Sequence, residues 1–209
     1  MQDLLGAWDA LLARHTESSA GDRVTATGRA LLARWTEPHR RYHAVSHLRG
    51  VLASVEELVD YAADADAVRL AAWYHDAVYA GRPDDEECSA QLAEADLAAL
   101  GVAPALVAEV ARLIRMTLEH NPAPGDRNAE VLSDADLAVL ALPPQEYQHN
   151  SALIRAEHAH VTEDAFRTGR SKVIEDLLAG PGLYRTPRGR RQWEAAARAN
   201  MQAELAGLT

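Results

Sequence analysis

The most apolar stretch of the chain, Leu70 to Ala80, has His75 and Asp76 set side by side inside it. An unpaired carboxylate in such surroundings costs several kcal/mol, so the pair needs compensation. A divalent cation is the simplest partner, and a buried His-Asp hydrogen bond serving structure alone is the other reading. One segment earlier, His43 and His47 stand four residues apart and on a helix share a face with Val51. His47 is the better ligand candidate of the two. Downstream, Asp134 and Asp136 lie in the apolar run Val131 to Leu140. Two residues are about 200° around a helix, so at most one of them faces a shared ion. Capping of a helix start by Ser133 or Asp134 accounts for Asp134 and is a poor account of Asp136.

The elements that must carry these groups are helical. Leu, Ala, Glu and Arg recur at helical spacing, and alternating β-branched runs are nearly absent. The pattern predicts an all-α fold, a single compact bundle over 1–209 of roughly nine or ten helices. The expected helices are 3–16, 21–36, 44–62, 66–79, 86–100, 104–120, 129–141, 144–167, 170–179 and 188–206. Glu37-Pro38, Gly81-Arg82-Pro83 and the two prolines between Asn121 and Gly125 end helices, whereas Pro104 and Pro143-Pro144 begin them.

The composition sets outer bounds. Acidic residues outnumber basic ones 31 to 21, for a net charge of -10, which disfavours a nucleic acid polymer or an anionic membrane as partner. The single cysteine, Cys88, rules out an internal disulfide and a cysteine-based zinc site. The first residues do not read as a secretory signal and no stretch is long enough to span a bilayer, so the cytoplasm is the expected location. A homodimer is left open.

A histidine, an adjacent His-Asp pair and a distant Asp are together the signature that resembles the HD phosphohydrolase superfamily. His47 with Val51-Leu52 looks like its first-histidine helix, Ala72 to Val78 its middle motif, and Ala135-Asp136-Leu137 its last motif. More narrowly, the chain is similar to a bacterial subfamily of predicted HD phosphohydrolases, through Tyr42-His43, His47, Tyr74 to Tyr79, Glu86 with Ser89-Ala90, Thr117 with His120, and Ile154-Arg155-x-Glu157. The likeness covers about residues 35–180, leaving helical extensions at both ends; it departs at Asp85-Glu86, where an Asn-Glu pair is expected.

The resemblance implies an HD-type fold and a metal held by His47, His75, Asp76 and Asp136, with Asp76 and Glu86 in catalytic roles. It leaves His43, His120 and Asp134 as supports for the ligands or as ligands of a second ion. Such a mixed N/O site suits Mn, Fe, Co, Ni or Zn, with Mg also admitted. The implied reaction is hydrolysis of a small phosphorylated metabolite, a nucleotide by family analogy, through a metal-activated water. Arg41, Arg155, Arg170 and Lys172 are candidate phosphate donors, each in or beside a motif, and for each one alone a solvated surface charge is the commoner reading. Against this stand a non-catalytic metal- or nucleotide-binding sensory module, a redox di-iron site on the same fold, and a purely structural bundle. The basic run Arg185 to Arg191 has no assigned role.

Overall fold

The computed structural model describes residues 1–208 and is all-helical over them, with no strand among the described residues. Eleven α-helices follow one another: α1 Gln2–Leu12, α2 Gly21–Arg34, α3 Val45–Leu58, α4 Ala65–Tyr74, α5 Asp85–Ala99, α6 Pro104–Met116, α7 Arg127–Leu137, α8 Pro144–Glu157, α9 Glu163–Ala179, α10 Pro187–Gln192 and α11 Glu194–Leu208. Tight 3-10 turns at Ser18–Ala20, Val59–Tyr61 and Ala138–Ala141 join or extend them. No helix among the described residues is long and apolar enough to cross a membrane.

The buried central helix is α4, whose Ala67, Val68, Leu70, Ala71, Ala72, Trp73 and Tyr74 are all inside. It starts on Asp64, whose carboxylate accepts the main-chain N–H groups of Asp66 and Ala67 and so satisfies two orphan donors of the first turn. α3, α6 and α7 pack around it. α6 shows why: Val107, Val110, Ala111, Leu113 and Ile114 recur at helical spacing and are all buried, each large one contributing about 1.5–3 kcal/mol. The core formed with them runs from Leu4 to Ala135. A second core, from Leu140 to Met201, joins α8, α9 and α11 beneath the 138–141 turn.

The amino-terminal hairpin belongs to the first core. Trp8 of α1 meets Trp73 and Tyr74 of α4 edge-on, with centroids 5.3 and 5.9 Å apart, and its indole N–H donates to the Val24 carbonyl at 2.8 Å. Gly28 of α2 is required by this approach, since a Cβ there would lie 2.4 Å from Trp8 Cδ1.

Three expected boundaries are corrected. Helix 66–79 ends at Tyr74, so His75 and Asp76 lie in the turn that follows it. The expected helix 144–167 breaks after Glu157, and 163–179 forms one helix begun by Thr162, whose hydroxyl accepts the Ala165 N–H. The expected 188–206 helix is two, broken at Trp193, which packs edge-on against Tyr184.

Candidate metal centre

Three elements converge on one point. α3 brings His47 from its first turn, the turn after α4 brings His75 and Asp76, and α7 brings Asp136 from its last turn. His47 Nε2 stands 3.1 Å from His75 Nε2 and 3.1 Å from Asp136 Oδ1, and His75 Nε2 is 3.6 Å from the same oxygen. Ligand atoms of His47, His75 and Asp136 all lie within 4.8 Å of one another, so one ion can be held by all three. Asp76 Oδ2 joins them, 3.2 Å from His75 Nε2 and 3.5 Å from His47 Nε2. Donors about 2.1 Å from a common ion stand roughly 3.0–3.5 Å apart, close to the 3.1–3.6 Å separations among His47, His75 and Asp136.

The clustered atoms are oriented by their neighbours. His75 Nδ1 is 2.9 Å from the Ala72 carbonyl, a contact that fixes the ring with Nε2 turned toward the cluster. Trp35 lies beneath both imidazoles, its ring centroid 5.5 Å from His75 and 6.3 Å from His47, with its N–H on the Trp73 carbonyl at 3.1 Å. Burial works against charge here, yet the imidazoles and carboxylates overcome it together. His75 is held well above its ordinary pKa by Asp76 and Asp136, and both carboxylates are held well below theirs by the histidines.

Two loops are fixed from behind by residues that carry no ligand atom. Arg40, whose side chain is fully buried, donates to the main-chain carbonyls of His43 at 2.9 Å, Asp76 at 2.8 Å and Ala77 at 3.1 Å. Its guanidinium sits between the Trp35 and Tyr79 rings, 5.5 Å from each centroid. Glu157, at the end of α8, accepts the main-chain N–H groups of Arg41, Tyr42 and His43 on Oε1, at 2.8, 3.1 and 3.1 Å. Its Oε2 is 2.6 Å from His43 Nδ1. Sequence reasoning passed over Arg40 for its neighbour Arg41, because acceptors supplied by distant main chain leave no local pattern.

The cluster forms the floor of a cavity of about 520 Å³ lined by groups that include His43, Glu86, Thr117, His120 and Arg170. His120, at φ 48°, adopts the left-handed conformation and places Nε2 3.4 Å from Asp136 Oδ2, with Nδ1 3.4 Å from Ser133 Oγ. His43 stacks on Tyr79 at 4.1 Å. Burial, reinforced by Asp76 and Asp85, holds the Glu86 carboxyl above its ordinary value.

Of the four candidate phosphate donors, only Arg170 lines this cavity, anchored by Glu204 of α11 at 2.8 Å. The other three do not line it and follow the surface reading. Arg41 folds back to the Pro38 and Arg40 carbonyls, Arg155 is tied to Glu163, His158 and Val161, and Lys172 pairs with Asp176 on the surface. Asp134 is corrected as well. It lies on the other side of α7, where its carboxylate accepts the N–H groups of Arg185 at 2.7 Å and Thr186 at 2.8 Å, plus the Thr186 hydroxyl at 2.7 Å.

Set beside known proteins, the chain matches no family model, no curated protein and no solved structure.

Proposed function

We propose that the chain is a metal-dependent phosphohydrolase of the HD type, with His47, His75, Asp76 and Asp136 as ligands of a divalent ion. The observation that carries this reading is the convergence of two imidazole nitrogens and two carboxylate oxygens, from three separate elements, at the floor of an open cavity. A divalent ion there supplies acidity to a coordinated water and neutralises charge developing on a phosphoryl oxygen. Around it, Arg170 offers its guanidinium to the phosphate, and Glu86, with its raised pKa, is placed to hold or release a proton.

The lining narrows the substrate. Arg170 is the one arginine or lysine in a cavity that also presents Glu86, Glu119 and Asp176, which favours a single phosphate group over a polyphosphate chain. Leu118 and Val173, among the most exposed large hydrophobic side chains described, lie on the same lining and suit an uncharged organic body. The substrate class is therefore a small phosphomonoester, a nucleoside monophosphate included. The test pairs metal analysis with turnover: wild type is expected to retain about one ion per chain and to release phosphate from a phosphomonoester panel with Mn, Co, Ni or Mg, and Asp76→Ala to lose both. Unchanged metal content in Asp76→Ala overturns the site. Bound metal with no phosphate release from any substrate overturns the reaction and leaves a ligand-binding module.

A further inference from the structure

The basic run Arg185 to Arg191 builds a second site on another part of the surface. A cavity of about 650 Å³ opens between the 181–190 segment and α11, lined by Arg185, Arg190 and Arg198 with Glu194 as its one carboxylate. Glu194 is already saturated, accepting the main-chain N–H groups of Leu183 and Tyr184 at 3.0 and 3.2 Å and Arg198 Nε at 2.6 Å. Arg198 is likewise committed, donating to the Leu178 and Gly180 carbonyls. Two guanidiniums remain. Arg190 uses Nε on the Tyr184 carbonyl at 3.2 Å, and Arg185 keeps a buried Nε with no hydrogen-bond partner among the described residues. Among the described residues neither guanidinium is paired with a carboxylate, so both keep N–H groups that an anion entering the cavity can take.

We infer that this cavity binds the phosphoryl group of a small molecule through Arg185 and Arg190, as an anion site separate from the metal cluster. The guanidinium fork matches a phosphate oxygen pair. Its backbone is held in advance: the Arg185 and Thr186 N–H groups are fixed on Asp134, and Gly189 lies so close that a Cβ would be 2.6 Å from Asp134 Oδ2. In a chain of net charge -10, this is a local reversal of sign that a diffuse electrostatic surface would not provide. The site serves inorganic phosphate or the phosphate end of a metabolite, and the two are separated by titrating each.

The experiment is NMR titration of the full chain, in the presence of EDTA, with inorganic phosphate and in parallel with a nucleoside monophosphate. The Arg185 Nε–Hε signal, assigned by its loss in Arg185→Lys, is expected to shift saturably. Arg190→Gln, a change at an exposed position, should weaken binding at least 10-fold, and His75→Ala should leave it intact. Tighter binding of the nucleotide than of phosphate would make the metabolite the ligand, within the same site. Equal affinity in Arg190→Gln, or an unmoved Arg185 signal, overturns the proposal. Loss of binding in His75→Ala does so too, by placing the anion at the metal cluster. Failure of phosphohydrolysis alone touches none of these readouts.

Discussion

The Arg40 guanidinium donates to the main-chain carbonyl of Asp76 at 2.8 Å, so a residue 36 positions earlier fixes the turn on which the Asp76 carboxylate is carried to the cluster. The same group reaches the carbonyls of His43 and Ala77, and with Glu37 on its Nε four of its five N–H donors are engaged. Arg40→Met keeps the stem and strands three carbonyls. The expected loss is about 3 kcal/mol or more in urea denaturation, together with reduced metal retention, and Arg40→Lys should recover only part of either. Full metal content in Arg40→Met would show that the turn holds its shape unaided.

Glu157 makes stability depend on acid. Burial pushes its carboxyl upward, but His43 and three main-chain N–H groups outweigh that and bring it down to about 2, from an ordinary 4.5. A depressed carboxylate contributes stability that is complete above the unfolded value and fades as pH falls from about 4.5 towards about 2. Glu157→Gln should therefore cost on the order of 2 kcal/mol at pH 6. The gap from wild type should shrink when both are denatured near pH 3. A gap that stays constant across that range would remove the carboxylate from the account.

Gly28→Ala tests the amino-terminal hairpin. The added Cβ meets the flank of the Trp8 ring, a rigid group already packed on Trp73. A destabilisation of about 1–3 kcal/mol is expected, read as a lower thermal midpoint. Metal content should not change, because the rings that Trp8 packs on, Trp73 and Tyr74, carry none of the clustered His and Asp atoms.

Arg170 and Glu204 test substrate binding. Arg170→Ala should raise KM for a phosphomonoester about 10-fold while kcat changes less, the pattern of a group that holds ground state and transition state alike. Glu204→Gln, which loosens the guanidinium without removing it, should raise KM by a smaller factor. An unchanged KM in Arg170→Ala would exclude contact between this arginine and the substrate.

The clustered residues were legible because their types were out of place: a carboxylate and an imidazole inside an apolar run, and an Asp that capping could not explain. The end of α4 was not legible. Trp73 to Tyr79 contains no glycine or proline, and the helix stops there for tertiary reasons, with the Asp76 carbonyl taken by Arg40 and the Val78 N–H by Ser89 Oγ at 3.0 Å. Thr162 was a readable signal that the sequence reading missed, a hydroxyl before Glu163-Asp164 at a helix start. Arg41, Arg155 and Lys172 were candidates by position beside a motif alone, and proximity in sequence does not say which way a long side chain turns.

α7 holds two carboxylates on nearly opposite sides, Asp136 toward the histidines and Asp134 toward the main chain of Arg185 and Thr186. Burial pushes Asp134 up to about 6 even against those hydrogen bonds, and Arg185 and Thr186 are the only hydrogen-bond donors to its carboxylate among the described residues, so loss of the segment it grips would leave it buried and unpaired. The helix thus works as a beam clamped at the tail of the molecule and loaded at the cluster. Clipping the backbone just before Arg185 would slacken that clamp, and the first place to register the damage would be the geometry around His47 and His75.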